Sequence, residues 1–247
     1  MGRARFSAYT MARAAVFAAG LTALAAGQAG AAAIFSENFN TLPVAPGSWV
    51  NVNNSAPPDQ AWFQGNSGIF AAQQGAANSY AAANFLSAGF AGNVSNWLIT
   101  PTLSLNNGQV FSFYTRTESP AIYADRLQVR LSNNGSSIDV GSSDTSVGDF
   151  SSLLLDINPS EAAAGYPDDW TLYSLTLSGL SGPVSGRLAF RYIVTDTSVN
   201  GDYIGLDTVA LSDSVAQTPL PASLPLFASA LGLLGVVARR RKRQSAG

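Results

Sequence analysis

The 247-residue sequence contains no cysteine and no histidine. The first absence excludes disulfides, the staples on which small exported domains often depend. A chain of this size does not require them, because about 180 residues bury enough apolar surface for a self-sufficient core. Together the two absences exclude a Ser-His-Asp triad, a Cys-His nucleophile, a histidine base and the usual zinc site. Only carboxylate chemistry is left to a catalytic reading. Positive charge is also scarce over most of the chain. Of thirteen basic residues, Arg3, Arg5 and Arg13 stand near the start, and Arg239, Arg240, Arg241, Lys242 and Arg243 near the end. The stretch between holds five arginines against all fifteen acids, a formal −10. Such a surface repels nucleic acid and anionic lipid, so no nucleic-acid partner is expected. It suits a divalent cation or a neutral sugar better.

What is present between the charged ends is β pattern. Arg126–Leu131 alternates strictly and places Leu127, Val129 and Leu131 on one face. Arg187–Tyr192 does the same with Leu188, Phe190 and Tyr192, and Tyr173, Leu175 and Leu177 form another period-two run. Val110–Thr117 is aromatic and Thr-rich. Further strands are expected at Ile34–Phe39, Asn96–Ile99, Leu153–Leu155 and Ile204–Leu211. Asn106-Asn107-Gly108 and Asn133-Asn134-Gly135 are turn signals. No internal stretch sustains a helical period. The reading is one all-β domain, an antiparallel β-sandwich, over residues 34–215. Gly65–Ala83 reads as an excursion loop or a pair of weak strands, and Asp139–Gly148 as a long exposed loop.

The two ends read as addresses. Residues 1–33 have the parts of a secretory signal peptide: the three arginines, the apolar run Ala14–Ala26, and small residues around Ala29–Ala33. Met11 would serve equally as a start. The general secretion machinery is the expected first partner. Residues 216–247 carry Pro219-Leu220-Pro221-Ala222, an uncharged run from Ala222 to Ala238, and the five-cation cluster. Seventeen residues of helix reach about 25 Å against a hydrocarbon core of about 30 Å, so this transmembrane helix spans only marginally. The cation cluster would stay on the cytoplasmic side.

That order of proline motif, slim apolar helix and Arg-rich end resembles the PEP-CTERM sorting signals of bacteria, with Thr218 where the VPLPA-type variant has Val. The resemblance implies an exosortase-type sorting enzyme as partner, an inner-membrane intermediate, and delivery to the envelope surface or extracellular matrix of a Gram-negative bacterium. The body has its own resemblance. Asn96-Trp97-Leu98-Ile99-Thr100-Pro101 with Leu103-Ser104-Leu105, then Phe111-Ser112-Phe113, Asp125–Val129, Leu188–Tyr192 and Gly201–Val209 resemble, in order, the elements of choice-of-anchor J domains. Those are relatives of cleaved-adhesin and MAM-like jelly rolls, so the resemblance implies a sandwich of jelly-roll type.

In a jelly roll the first and last strands commonly lie side by side, and related modules often hold a structural calcium near that junction. The resemblance therefore makes Glu37 and Asp207 candidate calcium ligands, with Asn38, Asn40 and Asp202 as further oxygen donors. For sugar binding, Trp62 and Trp170 sit beside polar loop residues and are the candidate platforms, whereas Trp97 reads as core. Glu118, Glu161 and Asp168-Asp169 are the acids that a glycoside hydrolase would draw on, which needs two carboxyls about 5–10 Å apart. The expectation is a non-catalytic surface or matrix protein, adhesin-like or associated with extracellular polysaccharide. The alternatives are a carbohydrate-active enzyme with a carboxylate pair and a ligand-free structural spacer.

Overall fold

The computed structural model describes residues 33–42 and 49–213. The expected signal peptide, the Pro219–Ala222 motif, the apolar run and the Arg239–Arg243 cluster lie outside the described residues. No helix among the described residues is long and apolar enough to cross a membrane.

Two antiparallel sheets face each other. The first holds β1 (Ala33–Glu37), β4 (Phe63–Gln64), β5 (Ala81–Asn84), β8 (Val110–Thr117), β11 (Thr171–Thr176) and β13 (Tyr203–Ser212). The second holds β2 (Val50–Asn53), β3 (Ala56–Pro58), β6 (Ala88–Ile99), β7 (Leu103–Leu105), β9 (Leu127–Ser132), β10 (Ser152–Ile157) and β12 (Val184–Val194). Strand β13 runs beside β8, and its other edge is shared by β5 over its first half and β1 over its second. The other sheet runs β10-β9-β12-β6-β2.

Alternation decides which side chains face inward. Along β8, Phe111, Phe113, Thr115 and Thr117 are buried while their neighbours stay half-buried. Leu127, Val129 and Leu131 of β9 and Leu188, Phe190 and Tyr192 of β12 point into the same core, as their spacing predicts. Phe190 meets Phe113 edge-to-face at 4.9 Å and Phe111 at 5.6 Å, which joins the two sheets. Thr115 and Thr117 are tolerated inside because each hydroxyl has a partner, Thr115 on the Gly205 carbonyl at 2.7 Å and Thr117 on Asp125 at 2.6 Å.

Both outer faces carry covers. Over the second sheet, Val140 and Phe150 pack on Trp97, Ile99 and Ala189. The segment Asp139–Gly148, expected as an exposed loop, is thus anchored by a buried Val140 and followed by a buried Phe150. Over the first sheet, Phe70 and Tyr80 pack with Ala82 and Tyr203. Gly65–Ala83 therefore runs as a covering loop into β5, and a side chain at Gly65 would collide with the Tyr80 ring.

The register also gives the sandwich two unlike poles. Ala33 pairs with Ser212, so the described chain enters and leaves at one pole. Tyr203 pairs with Asn84 at the far end of β13, about 30 Å away for nine residues of strand. Residues 118–126, 158–170 and 195–202 gather at that far pole, tied by bonds such as Gly201 N–H to the Ala124 carbonyl and Thr195 N–H to Glu161.

Candidate functional site

The junction of β1 and β13 holds the first group of candidate residues. Glu37 lies opposite Val209, and its carboxylate accepts the Phe39 N–H at 2.8 Å. Asn38 follows β1 half-buried, and Asn40 is exposed with its amide oxygen against Gly75. Asp207 is fully buried. One of its oxygens accepts the Gln74 N–H at 3.0 Å and the other the Thr208 N–H at 2.6 Å. Burial pushes its pKa up to about 6, held from going further by the N–H groups of Gln74, Thr208 and Gln73. No guanidinium is among these partners. Gln73 adds an amide oxygen, which takes the Thr208 hydroxyl at 2.7 Å.

This donor set is all hard oxygen, the chemistry calcium takes and a transition metal does not prefer. A buried carboxylate held only by neutral donors also keeps an uncompensated charge that a divalent cation would relieve. Among the described residues no group of three or more acidic side chains is placed to hold a metal, so amide and backbone oxygens would have to complete the shell. Asp202 does not belong to this set. It precedes β13, five strand residues from Asp207, which is about 16 Å. Nearness in sequence was misleading here because an extended chain separates quickly.

Asp202 instead joins a second acid group at the far pole. Asp125 is fully buried there and accepts the Tyr192 hydroxyl at 2.6 Å, the Thr117 hydroxyl at 2.6 Å and the Asp202 N–H at 2.8 Å. Burial raises its pKa against those three bonds. Burial first, and then a hydrogen bond with Glu118 that holds the protonated form, raise the Asp202 carboxyl to about 8. The sequence gives no sign of Asp125's role, because an acid just before a strand reads as a turn residue. Its partners lie 8, 67 and 77 residues away.

The aromatic candidates separate. Trp62 is only 4% exposed and belongs to the central core, donating its indole N–H to the Asn96 carbonyl at 3.1 Å. It cannot be a sugar platform. Polar neighbours suggested an exposed ring, but they bracket a chain that turns the ring inward. Trp170 is half-buried, edge-on to Phe70 and Tyr80, with its indole N–H on the Ala71 carbonyl at 2.9 Å. It fastens the covering loop, as does Arg116, whose guanidinium lies 4.6 Å over the Phe70 ring.

The acids weighed for hydrolysis each have partners of their own. Asp169 pairs with Arg116 at 3.4 Å while exposed, a weak contact. Glu161 takes the Thr195 N–H and hydroxyl and faces Arg126 at 3.8 Å. Asp168 accepts the Ser119 hydroxyl at 3.1 Å, and Glu118 is engaged with Asp202.

No protein-family model matches the chain, and no curated protein matches it either. Solved structures do. The K1 cleaved adhesin domain of Lys-gingipain from Porphyromonas gingivalis superposes with a TM-score of 0.52 at 22% identity, over 72% of this chain and 97% of that domain. The K3 cleaved adhesin domain of the same protein gives 0.52 at 24%, over 74% and 99%. The fold is similar to a cleaved adhesin domain. A xylan-binding domain of Paenibacillus barcinonensis stands farther off, at a TM-score of 0.38 and 14% identity over 75% of this chain and 97% of that domain, and carries no argument.

Proposed function

We propose that this chain is an exported, non-catalytic, adhesin-like component of a bacterial surface or extracellular matrix, associated with polysaccharide. The observation that carries the reading is the sandwich itself, which reproduces the cleaved adhesin fold over nearly the whole length of those domains. The poles support it. The pole opposite the paired Ala33 and Ser212 gathers 118–126, 158–170 and 195–202. The sequence of the tail supports delivery by an exosortase-type enzyme through an inner-membrane intermediate. The donor chemistry around Asp207 supports a structural calcium with Glu37, Asn38 and Asn40, the cation supplying charge compensation at a buried carboxylate.

The test is delivery and attachment of the full chain in its host. Antibody against the sandwich is expected to label intact cells or the extracellular matrix. Mass spectrometry of the mature form is expected to place its C-terminus before Ala238. Label confined to lysed cells would overturn the surface reading. A mature terminus beyond Ala238 would replace the sorting step with a retained anchor.

A further inference from the structure

At the far pole a groove of about 490 Å³ opens beside strand β11. That volume lies within the range of small-molecule sites, about 300–1,000 Å³. Tyr173 forms its floor, with the buried Tyr166 behind it, and Pro120, Pro167 and Asp168 also line it. Resting on the glycan-associated reading above, we propose that this groove is the carbohydrate site and that its ligand is a neutral glycan.

The floor is rigid before any ligand arrives. The Tyr173 ring stacks on Phe113, 5.7 Å between centroids and 16° between planes. The Tyr166 hydroxyl is fixed to the Thr115 hydroxyl at 2.6 Å. The Pro167 carbonyl accepts the Thr117 N–H at 2.7 Å, and the Asp168 carbonyl accepts the Arg116 guanidinium. Strand β8 therefore holds one wall in place, so binding forfeits little side-chain entropy.

The chemistry on offer matches a sugar. The half-buried Tyr173 ring and the two prolines supply the flat apolar surface that the C–H face of a pyranose covers. Burial alone raises the Tyr173 phenol, with no side-chain hydrogen bond acting on it, which leaves the hydroxyl for a ligand. Asp168 is exposed and its Ser119 bond uses one carboxylate oxygen, so the other is available to accept sugar hydroxyls. The ligand class is neutral because no cation lines the groove. The nearest guanidinium, Arg116, is engaged with Thr117, Asp168 and Asp169. A body of formal charge −10 would repel a polyuronate. The site differs from both tryptophans suggested by sequence, which serve the core and the covering loop.

Calorimetric titration of the full chain with neutral oligosaccharides of glucose, galactose and xylose, and with oligogalacturonate, tests this. At least one neutral oligomer is expected to bind and oligogalacturonate is not. Ala121→Trp, which fills the groove from its open side, is expected to weaken binding at least tenfold. Tyr173→Phe and Asp168→Ala, each losing hydrogen bonds but not the fold, are expected to weaken it about 3–10-fold. Melting temperatures of the three variants verify folding. Neutral-sugar binding unchanged in all three would overturn the groove while leaving glycan association intact. Absence of binding by the unaltered chain to every neutral oligomer would overturn both. Preference for oligogalacturonate would overturn the neutral class.

Discussion

Two carboxylates, Asp125 at the far pole and Asp207 midway along β13, are fully buried, and neither is paired with a cation. Asp125 is caged by two hydroxyls and an N–H from β8, β12 and the residue before β13. Asp207 is held by N–H groups of its own strand and of the loop covering the sheet, with the Gln73 amide oxygen bound to the neighbouring Thr208 hydroxyl. The first arrangement is a closed structural node that ties strand ends together and leaves no place for a ligand. The second leaves oxygen donors unspent around an uncompensated charge. Burial alone therefore does not mark a functional acid; what its partners are does.

The sharpest way to break the comparison is Asp125→Ala. It strands the Tyr192 hydroxyl and the Asp202 N–H in the core, while Thr117 retains the Tyr203 carbonyl at 3.0 Å. At about 1–3 kcal/mol for each buried group left unsatisfied, the loss is roughly 4 kcal/mol. That lowers Tm by about 8–16 °C for a domain of this size. Calorimetry checks it, and a Tm within 3 °C of the parent would show that the node is not structural. Asp207→Ala should cost less, because the backbone N–H groups it frees lie nearer the surface loop.

The next effect is on pH. Both Asp202, near 8, and Asp207, near 6, titrate above the ordinary 3.8 in the folded chain. The folded state then holds protons that the unfolded chain has released, so the stability contributed by these two groups is full below about pH 4 and is lost as pH rises, through about 6 for Asp207 and about 8 for Asp202. Measured in chelator, Tm should decline more steeply between pH 4 and 6, where Asp207 and Asp202 both contribute, than between pH 6 and 8, where Asp202 continues alone. Asp202→Asn should remove the decline between pH 6 and 8 and make the part below pH 6 shallower. A Tm that rises across this range would invert the assignment.

How much of this was legible depends on contrast along the chain. Strands β8, β9 and β12 announce themselves because inward Phe, Leu and Val alternate with Ser, Gln and Arg. Ala81–Asn84 does not, since three alanines look alike on either face, yet all three are buried and carry the covering loop. Val50–Asn53 and the proline-bearing Ala56–Pro58 are short edge pieces whose pairing with β6 is decided by that strand's twelve-residue length. The adjacency of β1 and β13 followed from fold resemblance. Trp62 and Asp202 were misplaced for one reason: local sequence reports neighbours along the chain, whereas their partners, Asn96 and Asp125, lie 34 and 77 residues away. The groove was invisible for the same reason, since it joins 120–121, 164–168 and Tyr173.

The smallest effect tests the second acid directly. If Asp207 anchors calcium, adding the ion at tenfold excess over its Kd should stabilise the folded chain by about 1.4 kcal/mol. For a domain of this size that raises Tm by roughly 3–6 °C over the chelated form. Glu37→Gln should weaken the response and Asp207→Asn abolish it, while Asp207→Asn also makes the pH decline below 6 shallower. Asp125→Asn should leave the calcium response whole, because its carboxylate is already satisfied by hydroxyls that no ion needs to displace. Equal Tm in calcium and chelator would remove the metal from the proposal and leave Asp207 as the anchor of the covering loop. A response lost in Asp125→Asn but kept in Asp207→Asn would move the ion to the far pole and reverse the contrast between the two acids.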